Sequence, residues 1–423
     1  MRVKVACVGG GPAGLYLSIL LKRQDPSHDI TVYERNPEGS TYGWGVTYWS
    51  GLLDQLRAYD PESAQAVDEH SVRWSDGVAR VRDLTTTQPG DEGHGIGRHR
   101  LLKILAERAR TLGVRLEFEH DVTADDLPDA DLIVAADGVN SALRSRHADH
   151  FGADLAPGRN QYIWLGTSKV FGSFTFAFVE TDHGWIWCYG YAFGPEGSTC
   201  VIECAPETWT GLGLDTAPEA DGLALLEKLF ADLLDGHSLI GRSSADGSAQ
   251  WLNFRTLTNR TWHRDNLVLL GDAAHTTHYS IGAGTTLALE DAIALADALR
   301  EHTSLPQALA AYEQRRKAAL LSIQSAARYS AQWYENLQRY IDLPPHRMFA
   351  LLGQRHSPLL PYVPPQVYYG IDKAAGSLEP LRRFKRWLGP KVARTVHARA
   401  LATRKQAPGG SERASASAPG ELG

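Results

Sequence analysis

The sequence predicts an α/β fold: a parallel nucleotide-binding sheet, an inserted mixed β-sheet and helices towards the C-terminus. Three observations predict it. Residues 2–34 read strand, glycine turn, helix, strand. Two later apolar strands each end at an aspartate–glycine pair, Asp137-Gly138 and Gly271-Asp272. Between them, residues 160–205 alternate aromatic and β-branched side chains with the period of strands.

Residues 2–8 alternate and run into Gly9-Gly10-Gly11-Pro12-Ala13-Gly14, a G-x-G-x-x-G pattern. A helix over 12–23 and a strand over 29–34 complete the opening of a Rossmann-type parallel sheet. Gly9 permits the tight turn, and Gly11 lets the backbone approach a pyrophosphate. Gly14 lets helix and strand pack closely, while Pro12 and Ala13 open a helix whose N-terminus faces the phosphates. Glu34 ends the second strand, twenty residues after Gly14, where a carboxylate accepts hydrogen bonds from a ribose diol; Arg35 stands beside it. Strand, glycines, helix and acid in register predict dinucleotide binding, which a merely glycine-rich turn does not explain.

Helical spacing recurs over 99–112, directly after Arg98, and the run 131–136 reads as a buried strand. Ala136-Asp137-Gly138-Val139-Asn140-Ser141-Ala142-Leu143-Arg144 then reads as strand end, turn and helix start, with Ser141 a possible cap. In the aromatic stretch, Phe174, Phe176, Phe178 and Trp185, Trp187, Tyr189, Tyr191, Phe193 flank the turn Asp182-His183-Gly184. Such a sheet is either a packed apolar face or a wall for a planar substrate, and the sequence leaves both open. An apolar strand over 267–270 precedes Gly271-Asp272-Ala273-Ala274-His275, then Gly282-Ala283-Gly284 and a helical pattern from 285 to 329. A basic run spans 382–405, and the final fifteen residues are small and polar, the composition of a disordered tail. The expected organisation is a nucleotide-binding unit over 1–75, 95–155 and 255–330, and a substrate-binding sheet over 76–94 and 156–254. A C-terminal helical segment over 331–405 and a tail over 406–423 follow.

The 423 residues carry a formal net charge of −6, with 43% apolar and 22% charged residues, ordinary for a globular chain and without the basic footprint of a nucleic-acid binder. No run approaches the ~18–20 apolar residues that span a bilayer, and no signal peptide is visible. Cys7, Cys188, Cys200 and Cys204 fit neither a CxxC motif nor a zinc site, so reduced cytoplasmic thiols and no metal are expected.

The glycine motif, the D-G-x-x-S-x-x-R motif near 140 and G-D-A-A-H near 271, in that order, resemble the single-component flavoprotein aromatic hydroxylases, the class of para-hydroxybenzoate hydroxylase. The resemblance covers roughly residues 1–330. It implies FAD, with Gly9, Gly11, Gly14 and Glu34 at the ADP half, Arg98 at the flavin, and Asp137, Gly138, Ser141 and Arg144 serving flavin and nucleotide donor. Asp272 matches the ribityl and pyrophosphate contact, and Tyr312-Glu313-Gln314-Arg315-Arg316 the family's C-terminal helix signature. Gly282 and Gly284 in the following loop, and Gly45, complete the expected cofactor set. The family usually follows G-D-A-A-H with two prolines and later an Asn, whereas this chain has His278, Tyr279 and Thr286. That loop, Tyr42-Gly43-Trp44-Gly45-Val46, and Asn160-Gln161-Tyr162-Ile163-Trp164-Leu165-Gly166-Thr167 are similar to salicylyl-CoA 5-hydroxylase and to the flavin half of 2-aminobenzoyl-CoA monooxygenase/reductase.

This resemblance implies a monooxygenase using NADH or NADPH and O₂, working through a C4a-hydroperoxyflavin on an activated ring. Salicylyl-CoA going to 2,5-dihydroxybenzoyl-CoA is the expected reaction. Alternatives are a hydroxylase of a tryptophan- or indole-derived acid and a flavin-binding protein without turnover. Candidate bases are His278 and Tyr279. Trp44, Trp164, Trp185 and Trp187 are candidate substrate contacts, with core packing the alternative for each. The run 382–405 is either a phosphate-binding surface for CoA or a solvated helix. The sequence fits a monomer or a homodimer.

Overall fold

A computed structural model describes residues 3–40, 43–123, 126–241 and 250–377. The basic run 382–405 and the expected tail 406–423 lie outside the described residues. Among the described residues, six strands form one sheet in the order His263–Arg264, Leu267–Leu269, Leu132–Ala135, Lys4–Val8, Asp29–Tyr33, Arg115–Glu117. All neighbours are parallel except the short edge pair His263–Arg264 and Leu267–Leu269. The central strands are apolar on both faces, as strands covered on both sides must be. The helix Pro12–Gln24 starts with Pro at its first turn, where the missing N–H costs nothing. It packs on the helix Gly284–Glu301 through small residues: a Cβ on Gly271 would touch Ala13 and Ala288.

Among the described residues, nine strands form the second, mixed sheet, whose only parallel pairing joins Val72–Val81 to Phe174–Thr181. The hairpin Phe174–Thr181 and Gly184–Gly194 turns at Gly184, whose φ of +115° suits glycine. Its alternation sorts two cores. Ile186 and Cys188 point to one face with Cys200, Ile202, Leu226 and Phe230. Trp185, Trp187 and Tyr189 point to the other, against Trp333, Tyr334, Tyr340 and Met348. All four cysteines are free and buried.

The structure departs from the sequence reading in two places. The strand Gly45–Trp49, within the range expected for the nucleotide unit, pairs with Leu84–Gly97 at the edge of the second sheet. The helical pattern over 285–329 divides at His302, giving Gly284–Glu301 and Leu305–Glu335. Pro306 enters at the first turn of the second helix, where it cannot continue the first. This 31-residue helix joins the two halves: Leu309 and Tyr312 lie in the core of the parallel sheet, Trp333 and Tyr334 in that of the mixed sheet. Among the described residues, no helix is long and apolar enough to cross a membrane.

Candidate active site

A cavity of about 1750 Å³ runs between the two sheets, larger than the ~300–1,000 Å³ of an ordinary small-molecule site and roomy enough for a cofactor with a substrate. At one end lie Gly9, Gly10, Gly11, Glu34 and Arg35. Glu34 accepts the Gly10 N–H through Oε2 (2.8 Å), and through Oε1 the N–H (2.9 Å) and side-chain amide (2.7 Å) of Asn36. Gly9, at φ +115°, has no space for a Cβ against the Ala136 carbonyl, and Gly14 none against Gly9 and Cys7. Gly11 differs: a Cβ there would meet nothing within 4 Å, so the fold leaves open room above it. The helix beginning at Pro12 has no side-chain cap and no acid in its first turn, so its positive end stays available to an anion. These features fit a dinucleotide pyrophosphate. Pro12, Ala13 and Gly14 do not line the cavity: their side-chain positions are buried in helix–sheet packing, and what they present to it is the helix N-terminus.

Midway, Asp137 and Gly138 line the cavity; Gly138 has φ +82° and Asp137 accepts the Ala142 N–H at 2.9 Å. Burial raises the Asp137 carboxyl above its ordinary value, and its Oδ1 is buried without a hydrogen-bond partner. Ser141 caps the following helix by accepting the Arg144 N–H (3.0 Å). Arg144 donates to the carbonyls of Ala273 (3.1 Å) and Val139 (2.6 Å), tying the second motif to the third. Asp272 faces the cavity, with His275 and then Arg98 exerting the attractions that offset part of its desolvation. Burial still raises its carboxyl, and it lowers the Arg98 guanidinium. Gly282, at φ +63°, has its Cβ position against Thr47, whereas Gly284 opens on free space; both line the cavity, as does Gly45.

His275 serves structure. Its Nε2 lies 2.8 Å from Asp291, which also binds Arg316 Nε at 2.6 Å, and its ring stacks on Trp262 with centroids 5.1 Å apart. The Tyr312–Arg316 signature thereby locks the third motif onto the long helix.

At the far end the wall is aromatic: Tyr162, Trp164, Phe174, Phe176, Tyr189, Tyr191 and Tyr279. Among the expected substrate tryptophans only Trp164 lines this cavity, its ring filling the Cβ position of Gly43. Trp44 lies instead over Gly166, in a separate pocket of about 340 Å³. Trp185 and Trp187 sit further along their strand, buried under the C-terminal helices: Arg82 lies 5.0 Å over Trp185, and Trp187 stacks on Tyr334 at 5.8 Å. The two candidate bases part in the same way. Tyr279 faces the cavity, but His278 does not line it. Its Nδ1 lies 2.9 Å from Ser280 Oγ and its ring packs on Phe254, and burial pulls the imidazole down to about 3. A base so reluctant to hold a proton is poorly suited to abstracting one.

Sequence reasoning missed Glu203. It is 1% exposed and accepts three hydrogen bonds, from Asn160 Nδ2 (2.7 Å), Tyr189 OH (2.6 Å) and Tyr279 OH (2.6 Å). Its signal was present: a lone acid in the otherwise uncharged strand Gly197–Cys204.

The chain matches the family described as FAD binding domain over residues 2–326. It is 38% identical to a salicyloyl-CoA 5-hydroxylase of Streptomyces sp over 363 residues, 83% of this chain and 69% of that protein. It is 36% identical to a 3-hydroxy-4-methyl-anthranilyl-[aryl-carrier protein] 5-monooxygenase of Streptosporangium sibiricum, over 84% and 94% of the two chains. Its fold is that of 2-methyl-3-hydroxypyridine-5-carboxylic acid oxygenase, with a TM-score of 0.63 at 20% identity over 81% of this chain and 94% of that one. The cavity's glycine-lined end and these likenesses agree: the chain belongs to the FAD-binding-domain family, as an FAD-dependent aromatic monooxygenase.

Proposed function

We propose that the protein hydroxylates a 2-hydroxybenzoyl thioester, salicylyl-CoA going to 2,5-dihydroxybenzoyl-CoA, with NADH or NADPH and O₂, in the cytoplasm. The observation that carries this reading is the aromatic chamber at the far end of the cavity, closed by Tyr162, Trp164, Tyr189 and Tyr279. FAD fits the opposite end. The helix N-terminus at Pro12 and the open space above Gly11 would hold its pyrophosphate, with Glu34 and Arg35 towards the ribose. Arg98, Asp137, Gly138, Asp272, Gly45, Gly282 and Gly284 would hold the remainder. When bound and reduced, FAD activates O₂ and supplies an electrophilic oxygen.

The chain's own residues do the rest. Aromatic walls fix the ring plane and keep water from the reacting centre. A ring hydroxyl directs attack to its para carbon, which in a 2-hydroxybenzoyl group is C5. That carbon gains oxygen and loses its hydrogen. Arg255 and Arg355 also line the cavity, where guanidinium groups suit the phosphates of a CoA thioester.

The test is NADH and NADPH oxidation by the FAD-loaded protein with salicylyl-CoA, free salicylate, 2-aminobenzoyl-CoA, a salicyl thioester on an aryl-carrier protein, and tryptophan, products weighed by mass spectrometry. Stimulation by salicylyl-CoA with gain of one oxygen supports the reading. Stimulation by the carrier-bound ester alone replaces CoA with a carrier protein, and stimulation by tryptophan alone moves the substrate to the indole class.

A further inference from the structure

Glu203 lies opposite Trp187 on one neighbouring strand and Tyr162 on the other, on the face that the chamber shares with the C-terminal helices. A buried carboxylate is expensive to maintain, and all three of its hydrogen-bond donors are neutral. Two of the three, Tyr189 and Tyr279, line the cavity. A phenol has one hydrogen, and each spends it on Glu203 Oε2. The Tyr189 oxygen in turn accepts from Trp187 Nε1 at 3.0 Å. No described residue donates to the Tyr279 oxygen, so its lone pairs are open to a ligand in the chamber.

We propose that Tyr279 and Glu203 form a two-step proton relay for the substrate's ring hydroxyl, an inference that rests on the hydroxyaryl reading above. The ring hydroxyl donates to the Tyr279 oxygen. As the ring is oxygenated, that proton moves to Tyr279, and the proton of Tyr279 moves to Glu203 Oε2. One O–H bond breaks and one forms at Tyr279, the negative charge passes from the carboxylate to the ring oxygen, and the total charge is unchanged. Tyr279 is the catalytic residue; Glu203 acts through it.

The electrostatics agree. Burial outweighs the three hydrogen bonds and raises the Glu203 carboxyl above its ordinary value, making it a better proton acceptor than an exposed glutamate. Facing it are Tyr162, Tyr189, Tyr279 and Tyr334, with the Cys204 thiol next along the strand on the other face, Arg255 near Tyr162 and Arg355 near Tyr334. Burial raises all four phenols, Tyr162 to about 12, and also the thiol. The phenols and the thiol therefore keep their protons, and Glu203 is the member of this group able to take one up.

The experiment uses FAD-loaded wild type, Glu203→Gln and Tyr279→Phe, with the visible flavin spectrum as the check on folding. The probe is 2-hydroxy-5-nitrobenzoyl-CoA: its nitro group blocks the position to be hydroxylated, and its phenolate absorbs visible light. The relay predicts that the ionisation midpoint of the bound probe rises by about one pH unit or more in both variants. Equal midpoints in all three proteins overturn it. Infrared spectroscopy of the substrate-free holoenzyme across pH is the second measurement. A titrating protonated-carboxyl band that disappears in Glu203→Gln and moves in Tyr279→Phe supports the relay, and no such band overturns it. If the probe fails to bind wild type, the thioester reading falls, and the infrared result decides the relay alone.

Discussion

Replacing Asp291 with Ala isolates the part of the site that holds the third motif in place. Asp291 is fully buried on the helix Gly284–Glu301 and meets His275 on one side and Arg316 on the other. Burial opposes its charge, but His275 and Arg316 together hold the carboxyl below its ordinary value. Its removal leaves the Arg316 guanidinium, 8% exposed, with only the longer contact to Glu290 at 3.2 Å. Breaking a buried pair from one side costs about 3–5 kcal/mol, and the surviving Glu290 contact places this case near 3. At roughly 2–4 °C per kcal/mol, less for a large chain, the melting temperature falls by about 6 °C. FAD affinity falls too, because His275 and the loop bearing Asp272 lose their anchor. The assay is thermal melting of apoprotein and FAD-loaded protein between pH 4 and 8. A depressed carboxyl contributes stability that is present above its unfolded value and lost as pH falls through its folded one. Both values lie at or below 3.8, so the wild-type advantage holds from pH 8 down to about 5 and begins to shrink only near pH 4 and below. A melting difference below about 1 °C at pH 8, or one that grows on acidification, refutes the reasoning.

The two glycines of the first motif separate fold from ligand. Gly9→Ala forces a Cβ into the Ala136 carbonyl at φ +115° and lowers the melting temperature of the apoprotein, whereas Gly11→Ala leaves it within about 1 °C and weakens FAD binding roughly tenfold or more, by fluorescence titration. His278→Gln keeps kcat within about threefold and leaves the pH–rate profile unmoved, because the imidazole is neutral and off the cavity wall; a lost acidic limb would restore it as the base. Trp185→Ala costs about 3 kcal/mol in denaturant unfolding but spares KM, whereas Trp164→Ala raises KM for the thioester about tenfold; a matching KM rise in Trp185→Ala would put that ring back at the substrate.

The glycine-lined end of the cavity was legible because its signals are local. Gly9, Gly11, Gly14 and Glu34 fall within one strand–helix–strand unit, and each spacing follows from backbone geometry. The aromatic hairpin was legible as strands but not as a site. Period two gives the face on which Trp185, Trp187, Tyr189 and Tyr191 lie; how far along that face the helix Leu305–Glu335 covers it depends on packing more than a hundred residues away. The tyrosines at the uncovered end line the cavity, and the tryptophans at the covered end form core. His278 and Tyr279 show the same limit within one loop: adjacent in sequence and with rings stacked 4.4 Å apart, they reach different polar partners, Ser280 for the imidazole and Glu203 for the phenol.

Glu203 is the strongest case of this limit, and the reason bears on how the chemistry is built. Its partners lie 43, 14 and 76 residues away, on two strands and a loop that meet only when both sheets are assembled. The segment bearing Tyr279 also carries Gly282 and Gly284 on the cavity wall, so one short stretch touches both that wall and the buried carboxylate. Tyr279 stands where the family the sequence resembles usually has a proline. A proline in place of Tyr279 has no hydroxyl to offer Glu203, and would leave a carboxylate buried with one donor fewer, at a cost of about 1–3 kcal/mol. Tyr279 and Glu203 are therefore coupled: replacing Tyr279 with Pro leaves the carboxylate with Asn160 and Tyr189 alone, and replacing Glu203 with Leu strands two phenols, whereas Glu203→Gln with Tyr279 kept preserves the side-chain volume and removes the charge together with the capacity to take a proton.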